Sequence, residues 1–362
     1  MFIKYFASNR DRDKLGRNLE DDKRIQLQEG GYHWLNMEKY MSYYMSTTNF
    51  QVMPQDALIL DSSKELFDDF LSSPKVKRII VCVHGFNVHL HDALTWFSIL
   101  MHSLSNTEYK SSTGKRMKDS LITDPQNEAQ THLLTDGDDL TAVVGFSWPS
   151  NGNVFSYEAD RTEALSSRTA LANILARVKK NNPNAKIHII CHSMGNLLAC
   201  SMFASLINKE FTPTDYQIGN FRNNDETFVD SYIMLAPDVE RRHITMCDLA
   251  DNTTDYTGPY YEGLSHMVGE VHNFYSRFDS ALSFSNKEKV IREGLEKLKE
   301  IFTGENPDHR YEQRLGLTEH PKIGPKNMFS HNAVALSNRE IDHSDYQDCM
   351  PVAEKIAKII LQ

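Results

Sequence analysis

The sequence predicts an α/β fold, with a mostly parallel central sheet, helices on both faces and insertions that form a candidate cap. Three observations predict it. From about residue 76 onward, apolar runs of strand length alternate with stretches of helical periodicity. One join between them, residues 187–199 (IHIICHSMGNLLA), passes from strand to helix through a single serine. Finally, 362 residues with 40% hydrophobic and 24% charged side chains suffice for one large core. The expected organisation is one domain over residues 1–362, with insertions at 106–139, 240–268 and 303–327.

Taken in order, residues 2–7 read as a first strand, closed by a polar turn at 8–14. Residues 11–47 are polar and carry no readable period, and 56–59 suggest part of another strand. Residues 63–72 place Leu66, Phe67, Phe70 and Leu71 on one helical face. VKRIIVCV at 76–83 is a strand buried on both sides, followed by a helix at 93–104 with Leu94, Phe97, Leu100 and Met101 inward. Residues 106–139 are charged and rich in Ser and Thr, as in a surface insertion. A strand at 140–148 precedes a helix at 161–180, which Asn181-Asn182-Pro183-Asn184 stops. After the serine join, the helical pattern runs on through Met202, Phe203 and Leu206. A polar excursion at 212–227 leads to a strand at 228–235. Residues 240–268 gather Tyr256, Tyr260 and Tyr261 around Gly258-Pro259, a candidate lid. A strand at 271–275 and an amphipathic helix at 287–302 follow, then 303–327, rich in Gly, Pro and His. A last short strand at 333–336 and a helix at 351–361, with proline in its first turn, close the pattern.

Charge and cysteine usage narrow the function. A net charge of −10 argues against a nucleic-acid partner, whose phosphates need clustered Lys and Arg, and weakly against anionic membranes. Cys82, Cys191, Cys200, Cys247 and Cys349 are odd in number and irregularly spaced, which fits a reducing compartment better than a disulfide framework or zinc site. The opening MFIKYFASNRDRDK turns charged too early for a signal peptide, and no run has the length of a membrane span. A cytoplasmic location is expected. No GxGxxG or GxxxxGK[ST] string occurs, and His84, His89, His91 and Asp92 lack the HxHxDH order of a binuclear metal site. Neither cofactor nor metal is expected.

The serine join carries the chemistry. A tight strand-to-helix turn lifts the Ser193 hydroxyl above the sheet edge and puts the Met194 N–H at a helix N-terminus, where an oxyanion can be held. Gly195 is one of the small residues the turn needs, and Cys191 stands where a first glycine is usual. A Ser-Met-Gly that merely opens a helix is the plainer explanation, so the partners decide. A serine nucleophile needs a base, and the base needs a carboxylate. In chain order the loops after strands offer Ser193, then Asp279, then His343. Asp238, one strand earlier, rivals Asp279 as the acid. His343 is preferred to His320 and His331 for its place between the last strand and the final helix. His84-Gly85-Phe86-Asn87 follows a buried strand, so Phe86 N–H is the second oxyanion donor expected, with His84 holding the loop.

These strings together resemble a family. VHGFN at 83–87, FSWPS at 146–150, Tyr157 to Asp160, Ser167-Arg168, HSMGN at 192–196 and LAPD at 235–238 are similar to an uncharacterised bacterial branch of the α/β-hydrolases, the domain of unknown function numbered nine hundred. FASNR at 6–10 fits its opening strand, and DHSDY at 342–346 its terminal histidine motif, where Asp345 interrupts the usual His-Ser-Tyr. The resemblance implies an α/β-hydrolase fold with Ser193 as nucleophile, His343 as base, Asp279 as acid, and Phe86 with Met194 as oxyanion hole. The expected activity is hydrolysis of a small-molecule or lipid ester through an acyl-enzyme. The alternative is a binding or scaffold protein on the same fold.

Overall fold

A computed structural model describes residues 3, 5–12, 19–24, 32–36, 68–123, 133, 139–150, 157–214, 219, 221–222, 226–246, 257–283 and 314–362. The strands β1 (Tyr5–Ser8), β2 (Arg10–Arg12), β3 (Leu19–Arg24) and β4 (His33–Asn36) come first. They are followed by β5 (Val76–Val83), α1 (Leu90–Ser105), β6 (Leu121–Ile122) and β7 (Leu140–Ser147). Next are α2 (Tyr157–Ser166), α3 (Arg168–Asn181), β8 (Lys186–His192), α4 (Gly195–Ile207) and β9 (Val229–Leu235). Last come α5 (Tyr261–Met267), β10 (Val268–Tyr275), β11 (Met328–Asn332), α6 (Ala333–Ser337) and α7 (Met350–Leu361).

The main sheet runs β11-β10-β9-β8-β5-β7-β1-β4, with β6 beside β7. Its pairings are parallel except that of β1 with β4. The alternation of side chains along each strand divides the core into two layers. Ile79, Val81 and Val83 of β5 pack with α3, α4 and α5 through Leu171, Leu175, Leu198, Met202 and Leu264. Ile80 and Cys82 point the other way, toward α1 and α7 through Phe97, Leu100, Val352 and Ile356. Every residue of α4 is buried. The helix that begins at the serine join is thus the central element of one layer, and its N-terminus cannot shift without disturbing that core. No described helix is long and apolar enough to cross a membrane.

Several elements differ from the sequence reading, each for a physical reason. Residues 10–12 are not a turn but β2, paired antiparallel with β3, whose LEDDKR has no apolar alternation to announce a strand. The helix expected at 161–180 begins earlier and divides at Ser167. There the hydroxyl donates to Glu163 O (2.7 Å) and accepts from Asn9 Nδ2 (2.9 Å), drawing the chain out of regular helix. Residues 333–336 are helical rather than extended, because Asn332 Oδ1 accepts from the N–H groups of Val334 and Ala335 and caps α6. The last strand is β11, just before. Of the helix at 63–72, residues 68–71 are described and helical. The strand at 56–59, the helix at 287–302, Cys247 and Tyr256 lie outside the described residues.

The segments expected as insertions pack in different places. Within 106–139, β6 joins the sheet and buries Leu121, Ile122 and nearby Met117. Within 240–268, Tyr260 is buried beside His243, with ring centroids 5.4 Å apart. Within 303–327, Leu315 and Gly316 donate to the carbonyls of Val239 (2.8 Å) and Pro237 (3.0 Å).

Three buried histidines make the fold acid-sensitive. His84, His188 and His192 are each lowered to about 3, first by burial and then by nearby positive groups. In the unfolded chain they titrate near 6.5. Between those values the unfolded state binds protons that the fold refuses, so the stabilisation is complete above about pH 6.5 and is lost toward pH 3. The slope is about 1.4 kcal/mol per pH unit for each histidine. Thermal melts from pH 7.5 to 4.5 are expected to show Tm falling continuously below pH 6.5. A level Tm across that window would show that the rings accept protons inside the fold.

Candidate active site

The loops that follow β8, β10 and α6 meet at the C-terminal edge of the sheet. Ser193 follows β8 directly with a left-handed φ of 51°, which few residues adopt without tertiary support. That support is visible. Ser193 N–H donates to Leu235 O (3.0 Å) on β9. Ser193 O accepts from Asn196 N (3.0 Å) and Asp238 N (3.2 Å). Asn196 is buried, and its Nδ2 lies within 3.0–3.2 Å of the carbonyls of Cys191, Ser193 and Leu235, while its Oδ1 accepts from Tyr232 OH (2.9 Å). Cys191 is buried, and burial pushes its thiol well up, so it acts as a small apolar side chain behind the turn.

His343 bridges the other two groups. Its Nε2 is 2.9 Å from Ser193 Oγ and its Nδ1 is 2.8 Å from Asp279 Oδ2. A carboxylate accepts, so Nδ1 carries the ring proton and Nε2 accepts from the serine hydroxyl. Asp279 is fully buried, and its Oδ1 also accepts from Leu282 N (2.9 Å). The His343 loop is tied down on both sides. Ser280 donates to Asp342 (2.8 Å), and the His192 ring donates through Nε2 to His343 O (2.8 Å). His192 also packs against His343 and Trp96, at 4.7 and 5.3 Å between centroids.

The rival acid is engaged elsewhere. Asp238 Oδ2 accepts from Tyr157 OH (2.6 Å). Its Oδ1 lies 3.0 Å from Arg314 Nε, close enough for a strong ionic contact although not aligned as a hydrogen bond. Arg314 is 3% exposed and also faces Glu240 (3.6 Å). The structure therefore brings together Ser193, His343 and Asp279 and leaves Asp238 in a separate buried ion pair. His331 contacts His272 (3.1 Å) and His320 contacts Ser330 Oγ (2.7 Å).

The loop after β5 completes the site. A Cβ built on Gly85 would lie 2.7 Å from Ser193 Cβ, so only glycine lets this backbone lie against the serine. Trp148 N–H donates to His84 Nε2 (3.1 Å), which makes that nitrogen an acceptor, and His84 Nδ1–H donates to Gly85 O (2.8 Å). The His84 ring stacks on Trp148 at 5.2 Å. Arg10, fully buried, donates to Ser147 Oγ (3.1 Å), Val88 O (2.8 Å) and Ser150 O (3.4 Å), and so fastens the β1, β5 and β7 loops to one another. Sequence reasoning missed Arg10, Ser147, Asn196 and Arg314 as supports. The first three lie inside the quoted strings FASNR, FSWPS and HSMGN, where a buried role was the available signal. Arg314 stands in a stretch without period.

A cleft of about 610 Å³ opens above Ser193, lined by Phe86, Val88, Trp96, Tyr157 and Leu282 among others. None of the described residues of 106–139, 240–268 or 303–327 lines it. Met194 follows the serine at the N-terminus of α4, and Phe86, next to Gly85, lies in the cleft wall. Among the described residues, no group of three or more His, Cys, Asp or Glu side chains could hold a metal ion.

A largely parallel sheet whose middle strand ends in a serine at left-handed φ, flanked by layers of helices, is the α/β-hydrolase architecture. Residues 59–348 match the model of the family described as alpha/beta hydrolase of unknown function (DUF900), and the chain belongs to that family. It is also similar to the uncharacterized protein alr1448 of Nostoc sp. (strain PCC 7120 / SAG 25.82 / UTEX 2576). The two are 46% identical over 369 residues, covering 99% of this chain and 94% of the relative.

Proposed function

We propose that the protein is a serine hydrolase that cleaves a carboxylic or lipid acyl ester, with Ser193 as nucleophile, His343 as base and Asp279 as the acid that orients it. The observation that carries this reading is the position of one imidazole, 2.9 Å from the serine hydroxyl and 2.8 Å from a buried carboxylate. Ser193 Oγ attacks the ester carbonyl carbon while His343 Nε2 takes the hydroxyl proton. The carbonyl oxygen becomes an oxyanion held by the N–H groups of Met194 and Phe86. Collapse of the tetrahedral adduct breaks the bond to the alcohol oxygen, which leaves with the proton from His343. Water then attacks the acyl-enzyme, giving a proton to His343, which passes it to Ser193 Oγ as the acyl–oxygen bond breaks, releasing the acid and the free serine. Asp279 fixes the tautomer and stabilises the imidazolium throughout. A fluorophosphonate should label the wild-type protein at Ser193 and fail to label Ser193→Ala. Equal labelling of both would end the proposal.

A further inference from the structure

We propose that the cleft beside Ser193 selects by charge, accepting a neutral or cationic ester and turning away an anionic one. This names the substrate class for the hydrolase reading above and rests on it. Among the described residues that line the cleft, the carboxylates are Asp92 and Asp238, and no lysine or arginine is present. Two buried cations stand behind the cleft: Arg10 is fixed on Ser147 Oγ, Val88 O and Ser150 O, and Arg314, behind Asp238, is matched by Asp238 at 3.0 Å and Glu240 at 3.6 Å. Turning Arg314 toward a ligand would strand two buried carboxylates.

Asp92 is exposed in the first turn of α1, one helical turn before Trp96. Both line the cleft, and Trp96 leans on His192 next to the nucleophile. Phe86 and Tyr157 meet edge to face at 5.5 Å on the same cleft wall. A cationic group entering here meets aromatic faces and a carboxylate, the two features that favour such a group. A sulfonate or phosphate meets like charge beside apolar walls and finds no lysine or arginine among the described lining residues to compensate it.

The rim repeats the pattern. The loop that carries His343 reads REIDHSDYQD over residues 339–348, four carboxylates against one arginine. That arginine, Arg339, lies 3.9 Å from Asp348. Asp342 accepts from the N–H groups of Ser280 and His343 (both 2.8 Å), bonds that favour its charged form. The net charge of −10 extends the repulsion of anions beyond the cleft.

The test compares three fluorophosphonates that differ only at the end of one alkyl chain: trimethylammonium, tert-butyl or sulfonate, which are close in shape. The readout is the second-order rate of Ser193 labelling. At low ionic strength the sulfonate should label about tenfold more slowly than the tert-butyl reagent, and the trimethylammonium reagent at least as fast as the tert-butyl one. The gap should shrink in 0.5 M NaCl, where the screening length falls to about 4 Å, and Asp92→Asn should narrow it at low salt. Sulfonate labelling as fast as tert-butyl labelling would overturn charge selection and leave the serine chemistry standing. Failure of all three to label would remove the serine chemistry and charge selection with it.

Discussion

Asp279→Asn should lower kcat about 10⁴-fold with little change in Tm, because an amide facing Nδ1 holds His343 in the wrong tautomer. The amide oxygen can still accept from Leu282 N, as the carboxylate does at 2.9 Å, so the loop keeps its shape. Asp238→Asn makes the opposite prediction. Its carboxylate faces Arg314 and Tyr157, and neutralising it leaves a buried guanidinium with Glu240 at 3.6 Å. The expected cost is about 3 kcal/mol of stability, read as a lower Tm, with the activity of the remaining folded protein retained to a much greater extent. Turnover measured beside thermal melts separates the two. If Asp238→Asn abolished turnover with an unchanged Tm while Asp279→Asn did not, the acid would have to be reassigned.

Gly195→Ala should be nearly as damaging, by another route. A Cβ there would lie 2.4 Å from His84 O and 3.1 Å from Val83 O, both backbone atoms at the end of β5. Neither α4, buried along its whole length, nor β5, paired on both sides, has room to retreat. The relief available is a shift of the loop carrying Phe86, away from the position in which its N–H would hold the proposed oxyanion. A loss of about 10²-fold or more in the rate of Ser193 labelling is expected, together with about 1–3 kcal/mol of overpacking strain. Full-rate labelling by the alanine variant would show that the β5 loop contributes nothing to the reaction.

Much of this arrangement is legible in the sequence because buried parallel strands are short apolar runs and their helices keep a regular period. VKRIIVCV and IHIICH are such runs, and they mark the middle of the sheet to within a residue. Ser193 and His343 stand out because they occupy joins between elements. The choice between Asp279 and Asp238 is another matter. Both follow strands, and what separates them is the direction of each side chain and the arrival of Arg314 from a part of the chain with no period. The opening strands are equally silent, since ladder hydrogen bonds hold LEDDKR in β3 and apolar alternation does not. Asn332 defeats the strand reading of 333–336 through one side-chain cap, a local bond that outweighs the β-tendency of the Val334 beside it.

The separation of the hydroxyl from its imidazole has a consequence for biosynthesis. Ser193 and His343 are 150 residues apart in the chain. At roughly 5–20 residues per second, a ribosome that has placed the serine needs about 8–30 s more to add the histidine. Once β9 and the residues after it are made, the strand–helix turn can form its bonds to Leu235 and Asp238, while His343 is still absent. On the reading proposed above, a nascent chain therefore carries its serine without the base, and a product cut short before β11 has the turn but lacks His343.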